Sequence, residues 1–185
     1  MSVLSPALLG AVGLVMVAAS IGHLRSPEVL RRGLRAHGVL PTRLHDPLSR
    51  VLGPVEGVLG VAALVVAVTG PPWVAALAVG MPLAGLCLAL TWYLVRVLRH
   101  TAGAVVPCAC GLGEAPVNQS AVLRSGLLAA LSLLGALTAN GWAIATAPVE
   151  EAVVALAAAL VLALATALLP AARAVPELTI RGESR

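Results

Sequence analysis

Two of the chain's three cysteines stand one residue apart in Val106-Pro107-Cys108-Ala109-Cys110-Gly111-Leu112-Gly113-Glu114-Ala115-Pro116-Val117, a polar hinge between two long apolar runs. Pro107 and Gly111 bracket them on a backbone that can turn back on itself, so the pair can form a disulfide, hold a soft metal or exchange with a partner's thiols. One intervening residue closes a smaller and more strained ring than Cys-x-x-Cys, and strained disulfides are the more oxidising, labile ones. Exchange needs a thiolate, which Arg96, Arg99, Arg124 and the start of the next helix would all favour. Metal binding would add His100 or Cys87, a thiolate and imidazole set suited to Cu(I) or Zn. A third reading makes the two cysteines ordinary loop residues. Cysteine is scarce here, yet two of three sit together at a turn, and this puts exchange first.

Three more side chains could join them. Glu56, in Arg50-Val51-Leu52-Gly53-Pro54-Val55-Glu56-Gly57, is the only acid well inside an apolar run. A carboxylate in lipid is costly, so it should face a bundle interior and pair with Arg124 or His23, with hydrogen-bond donors or with a cofactor. Gly53 and Gly57 beside it have the small-xxx-small spacing of close helix packing. His23 reads first as an interfacial histidine and second as a partner of Glu56 or a proton relay. Cys87, in an apolar run, reads first as a small hydrophobe and second as a redox partner of the hinge.

The elements that position these residues are membrane helices. The chain is 59% hydrophobic and 11% charged with a mean hydropathy of +0.99, whereas soluble domains carry about 25% charged residues. Apolar runs long enough to cross a hydrocarbon core of roughly 30 Å cover residues 6–24, 47–68, 73–98, 120–138 and 153–169. The first lacks a basic n-region and reads as a retained span instead of a signal peptide. Pro82 should kink or open the third, Trp92-Tyr93 should mark its interfacial end, and Pro170 should end the fifth before a charged tail, 170–185. Pro27-Glu28-Val29-Leu30-Arg31-Arg32-Gly33-Leu34-Arg35-Ala36-His37-Gly38 predicts a short amphipathic helix lying on the membrane surface.

All twelve Lys/Arg positions are Arg. With five spans they fall on one side, in 25–50, 96–124 and 170–185, which by the positive-inside rule is cytoplasmic, with the N-terminus outside and the C-terminus inside. The arginines separate spans and do not build a basic face with stacking aromatics, so they indicate topology and not nucleic acid. The 25–50 segment reads mainly as a topology-fixing loop drawn to lipid headgroups and secondarily as a partner-binding surface.

Cys108-Ala109-Cys110-Gly111, then Pro116-Val117, Arg124 and an apolar helix, resembles the Cys-x-Cys-Phe-Gly…Pro-Val-Ser…Arg-Asn pattern of the methylamine utilisation protein MauE family. His23-Leu24-Arg25-Ser26-Pro27, Gly38-Val39-Leu40-Pro41 and Glu56-Gly57 are similar to the related DoxX-like membrane proteins. The chain departs from the pattern at Gly111-Leu112-Gly113 and Asn118-Gln119-Ser120, neither of which touches the thiols. The resemblance implies an inner-membrane helical bundle that supports maturation of an exported, disulfide-rich protein of the methylamine dehydrogenase type, alongside a thioredoxin-like partner.

The expectation is therefore an all-α membrane bundle of five transmembrane helices plus the amphipathic helix, forming a single domain over residues 1–185. In it Cys108 and Cys110 exchange thiols with an exported client, and Glu56 and His23 are buried polar groups near them. An exported client calls for cysteines at the outer face, while the arginines place them inside. Either the hinge takes reductant from a cytoplasmic thioredoxin and alternates its access, the preferred reading, or it re-enters the membrane toward Cys87. The rival classes are a non-enzymatic assembly factor or metal-binding protein, and a quinone-linked oxidase with quinone near Glu56.

Overall fold

The computed structural model describes residues 3–101, 106–108, 110–112 and 116–182, with side chains as far as Leu169. Ala109 and residues 113–115 of the hinge lie outside the described residues. Six α-helices follow in order: α1 (Leu4–Arg25), α2 (Pro27–His37), α3 (His45–Thr69), α4 (Trp73–Thr101), α5 (Gln119–Leu137) and α6 (Val149–Gly182). All but α2 contain a stretch long and apolar enough to cross a membrane, so the chain is an all-α, multi-pass membrane bundle. Large apolar side chains such as Val58, Leu88 and Val161 point outward, as a lipid-facing surface requires.

The central helix is α1, with 72% of its span buried against 22% for α6. It is rich in Ala, Gly and Ser, and it packs on α3, α5 and α6. Small residues set the α1–α3 approach: a Cβ at Gly57 would lie 2.7 Å from Ser20 Oγ, and one at Gly13 would lie 2.9 Å from the Gly60 carbonyl oxygen. Ser20 Oγ also donates to the Gly53 carbonyl at 2.7 Å, tying the two helices where Glu56 turns inward. At the other end of α1, Ser5 Oγ donates to Gly135 O of α5 at 2.7 Å.

The spans agree with the sequence reading to within a few residues, with one correction. The helix α6 continues through Pro170 to Gly182. A proline removes one backbone donor and disfavours the helical turn before it, but when the flanking residues remain helical it need not end the helix. Likewise α4 continues through Pro82, and α3 through Pro54.

The amphipathic helix α2 forms where the sequence placed it. Pro27 starts it and Gly38 stops it in the left-handed region at φ 64°, as expected. Its apolar face, however, is turned into the protein: Leu30, Leu34 and His37 are buried and line an internal cavity. The Leu30–Leu34 spacing specifies an apolar face, not what covers it. Arg31 on the outer face pairs with Glu28 and Asp46, at 2.6 and 3.2 Å, which ties α2 to the start of α3.

Candidate thiol site

The hinge folds back as a hairpin. Pro107 and Pro116 form an isolated antiparallel bridge, and Val117 N–H donates to Val106 O at 2.9 Å. Val106, Cys108 and Val117 pack with Leu94, Val97 and Ala121, seating the hairpin between α4 and α5. Its tip lies on α1. A Cβ on Gly22 would collide with the Gly111 carbonyl, and Gly111 adopts φ 71° against the Ala19 carbonyl, so neither position has room for a side chain.

Two residues hold the hinge from other elements. His37 Nε2 donates to Pro107 O at 2.9 Å; since a carbonyl only accepts, Nδ1 is the bare nitrogen and accepts from the Tyr93 hydroxyl at 2.7 Å. Burial lowers the His37 pKa against the opposing pull of that carbonyl, which keeps the ring neutral. Asn118 caps α5 by accepting from Ala121 N–H at 3.1 Å, and this capped helix carries Arg124 into the interior. The departure from the family pattern at Asn118-Gln119-Ser120 thus supplies a helix cap.

Cys87, Cys108 and Cys110 are free thiols. Cys110 sits between two donors. The Cys108 thiol donates to its sulfur, and with the Arg124 guanidinium and the Leu112 N–H it lowers the Cys110 pKa to about 5 against the cost of burial. Cys108 moves the other way, its proton retained by that same hydrogen bond and by burial. The two sulfurs are thus biased in opposite directions, Cys110 toward the thiolate and Cys108 toward the thiol. Of the arginines expected to act on the thiols, Arg124 does; Arg96 instead lies 4.7 Å over the Trp92 ring.

All these groups meet at one cavity of about 460 Å³. Its polar end holds Cys108, Cys110, Cys87, Arg124, His23 and Glu56, and its walls are mostly leucines from α2, α3 and α4. Glu56 faces the bundle interior as expected, with Oε2 3.5 Å from His23 Nε2. His23, in the last turn of α1, is buried beside it. Cys87 is 1% exposed, and its carbonyl accepts from Ser125 Oγ at 3.0 Å. It packs in the apolar core and also lines the cavity, which leaves both of its readings in place.

Among the described residues, no three His, Cys, Asp or Glu side chains form a group that could hold a metal ion. His100 lies near Gly38. Sequence reasoning missed His37 and Tyr93 as site residues, treating one as surface and the other as an interfacial aromatic. The signal for His37 was present, since positions 30, 34 and 37 share one helical face; for Tyr93 nothing local marked an inward turn.

No curated protein and no solved structure matches the chain. Residues 1–138 match the family described as Methylamine utilisation protein MauE. That match takes in α1 to α5 and every residue of the site, and the chain belongs to the MauE family.

Proposed function

We propose that this protein is a membrane thiol–disulfide exchange factor that supports maturation of an exported protein in methylamine utilisation, with Cys108 and Cys110 as the exchanging pair. The observation that carries this reading is the Cys110 sulfur held between Arg124 and the Cys108 thiol at the polar end of the cavity. Cys110 thiolate attacks a disulfide sulfur of the partner, forming a mixed disulfide and releasing the partner's other sulfur as thiolate. Cys108 then gives up its proton, attacks Cys110 and frees the partner as a dithiol, leaving a Cys108–Cys110 disulfide. Every step is reversible, so the same atoms can oxidise a client dithiol.

On the positive-inside rule the hinge end of the bundle is cytoplasmic, the N-terminus outside and the C-terminus inside, in the inner membrane. Contact of the hinge tip with Ala19 and Gly22, and the cavity it shares with Cys87, support the re-entrant arrangement over alternation. Cys108→Ser and Cys110→Ser variants present at wild-type level provide the test. Loss of the client's disulfide state supports exchange. Unchanged client redox with loss of a complex would make the protein an assembly factor instead.

A further inference from the structure

The cavity is larger than a thiol pair requires. At about 460 Å³ it falls within the roughly 300–1,000 Å³ of small-molecule sites. Most of its lining is apolar, including Leu48 and Leu52 of α3 and Leu86 and Leu90 of α4. Part of its lining is exposed. Helix α3 packs chiefly on α1 and α4 on α5, and the two share far less contact with each other. Leu44, just before α3, and Ala89 and Trp92 of α4 line the cavity and are exposed. A ligand reaching the thiols by this route would come from the lipid phase.

The far end is polar and incomplete. The Glu56 side chain is 4% exposed, yet Oε2 makes no hydrogen bond, its approach to His23 at 3.5 Å lacking the geometry of one. A buried carboxyl oxygen without a partner, aimed into a cavity, marks a place for a ligand's polar group. Three requirements then apply to one molecule: it dissolves in the bilayer, it carries an oxygen that can share a proton with Glu56, and, beside a reactive dithiol, it accepts two electrons.

We propose that the cavity binds a membrane quinone, head group toward Glu56 and the cysteines and apolar tail along the α3–α4 leucines, as the electron acceptor of the Cys108–Cys110 pair. This rests on the exchange reading above and gives it a direction: electrons pass from client dithiol to the cysteine pair and then to quinone. In the second step the Cys110 thiolate and the Cys108 thiol become one S–S bond, releasing two electrons and one proton; the second proton is the one Cys110 gave up on ionising, returned from solvent through Glu56. The quinone takes up both electrons and both protons and leaves as quinol. Glu56, with His23 behind it, is the proton-passing group for the ring oxygens.

The full-length protein in lipid nanodiscs, reduced and freed of reductant without oxygen, is mixed with decylubiquinone, while a parallel sample receives a disulfide-bonded peptide. One quinol per two thiols lost, with saturable dependence on quinone, is expected. Leu90→Trp, which narrows the apolar passage, should slow quinol formation at least tenfold while peptide exchange continues; Glu56→Gln should slow it and flatten its pH profile. Peptide exchange without quinol formation would overturn the quinone inference and leave exchange standing. Failure of both reactions in folded protein would overturn the exchange reading with it. Quinol formation that ignores Leu90→Trp and never saturates would be chemistry in the lipid, and would also overturn the site.

Discussion

Cys110 owes its character to contacts that a sequence shows only in part. The Cys108 thiol, one residue away, is its main stabiliser, and Arg124 comes from the next helix. A thiolate is populated above its pKa, so alkylation of Cys110 should be half-maximal near pH 5 and level above neutrality, whereas an ordinary thiol rises through about 8.5. Removing the donor with Cys108→Ala should move the half-point up by about one unit or more. Iodoacetamide kinetics followed by mass spectrometry, with Cys87→Ser as background, would measure both. An unshifted profile would mean that Cys110 is an ordinary thiol.

At the scale of elements, the site depends on a hinge clasped from three directions: by α1 beneath its tip, by α2 through His37, and by the cap that starts α5. His37→Leu removes one hydrogen bond to the hinge, worth about 1 kcal/mol, and should open it roughly fivefold more often. Faster proteolysis or thiol labelling at the hinge would report this. The same latch is sensitive to acid. Burial lowers the folded-state pKa of His37 below its ordinary 6.5, so the open form binds the proton more readily. Latching is complete above that ordinary value and weakens as pH falls from it through the folded value. Hinge labelling in wild type should therefore rise below about pH 6.5, and His37→Leu should abolish the rise. The helices themselves were legible because apolar length is a one-dimensional signal. The inward face of α2 and the continuation past Pro170 were not, because each depends on what neighbouring residues do in three dimensions.

For the whole molecule, the sequence placed Glu56 correctly because a lone acid in an apolar run has few physical options. It also named His23 and Arg124 as partners. It could not show that Cys87, the hinge and Glu56 share one cavity, since their separation along the chain, 31 residues from Glu56 to Cys87 and 21 from Cys87 to Cys108 by their numbers, says nothing of distance in space. Topology provides a further prediction. If the arginine-bearing segments are cytoplasmic, as proposed, a membrane-impermeant maleimide should label Cys108 and Cys110 only after cells are permeabilised and reduced. Labelling in intact cells would invert the bundle and expose the pair directly to the periplasm.

The central claim is that Cys110 attacks and Cys108 resolves, and trapping the covalent intermediate tests it most directly. Cells carrying Cys108→Ser, which keeps a hydroxyl donor near Cys110 but removes the resolving sulfur, are acid-quenched, alkylated and resolved on non-reducing gels. A dithiothreitol-sensitive adduct with a second protein, absent when Cys110 is also replaced by Ser, is the predicted result. No adduct, with both wild-type cysteines fully alkylated under every growth condition, would contradict thiol exchange.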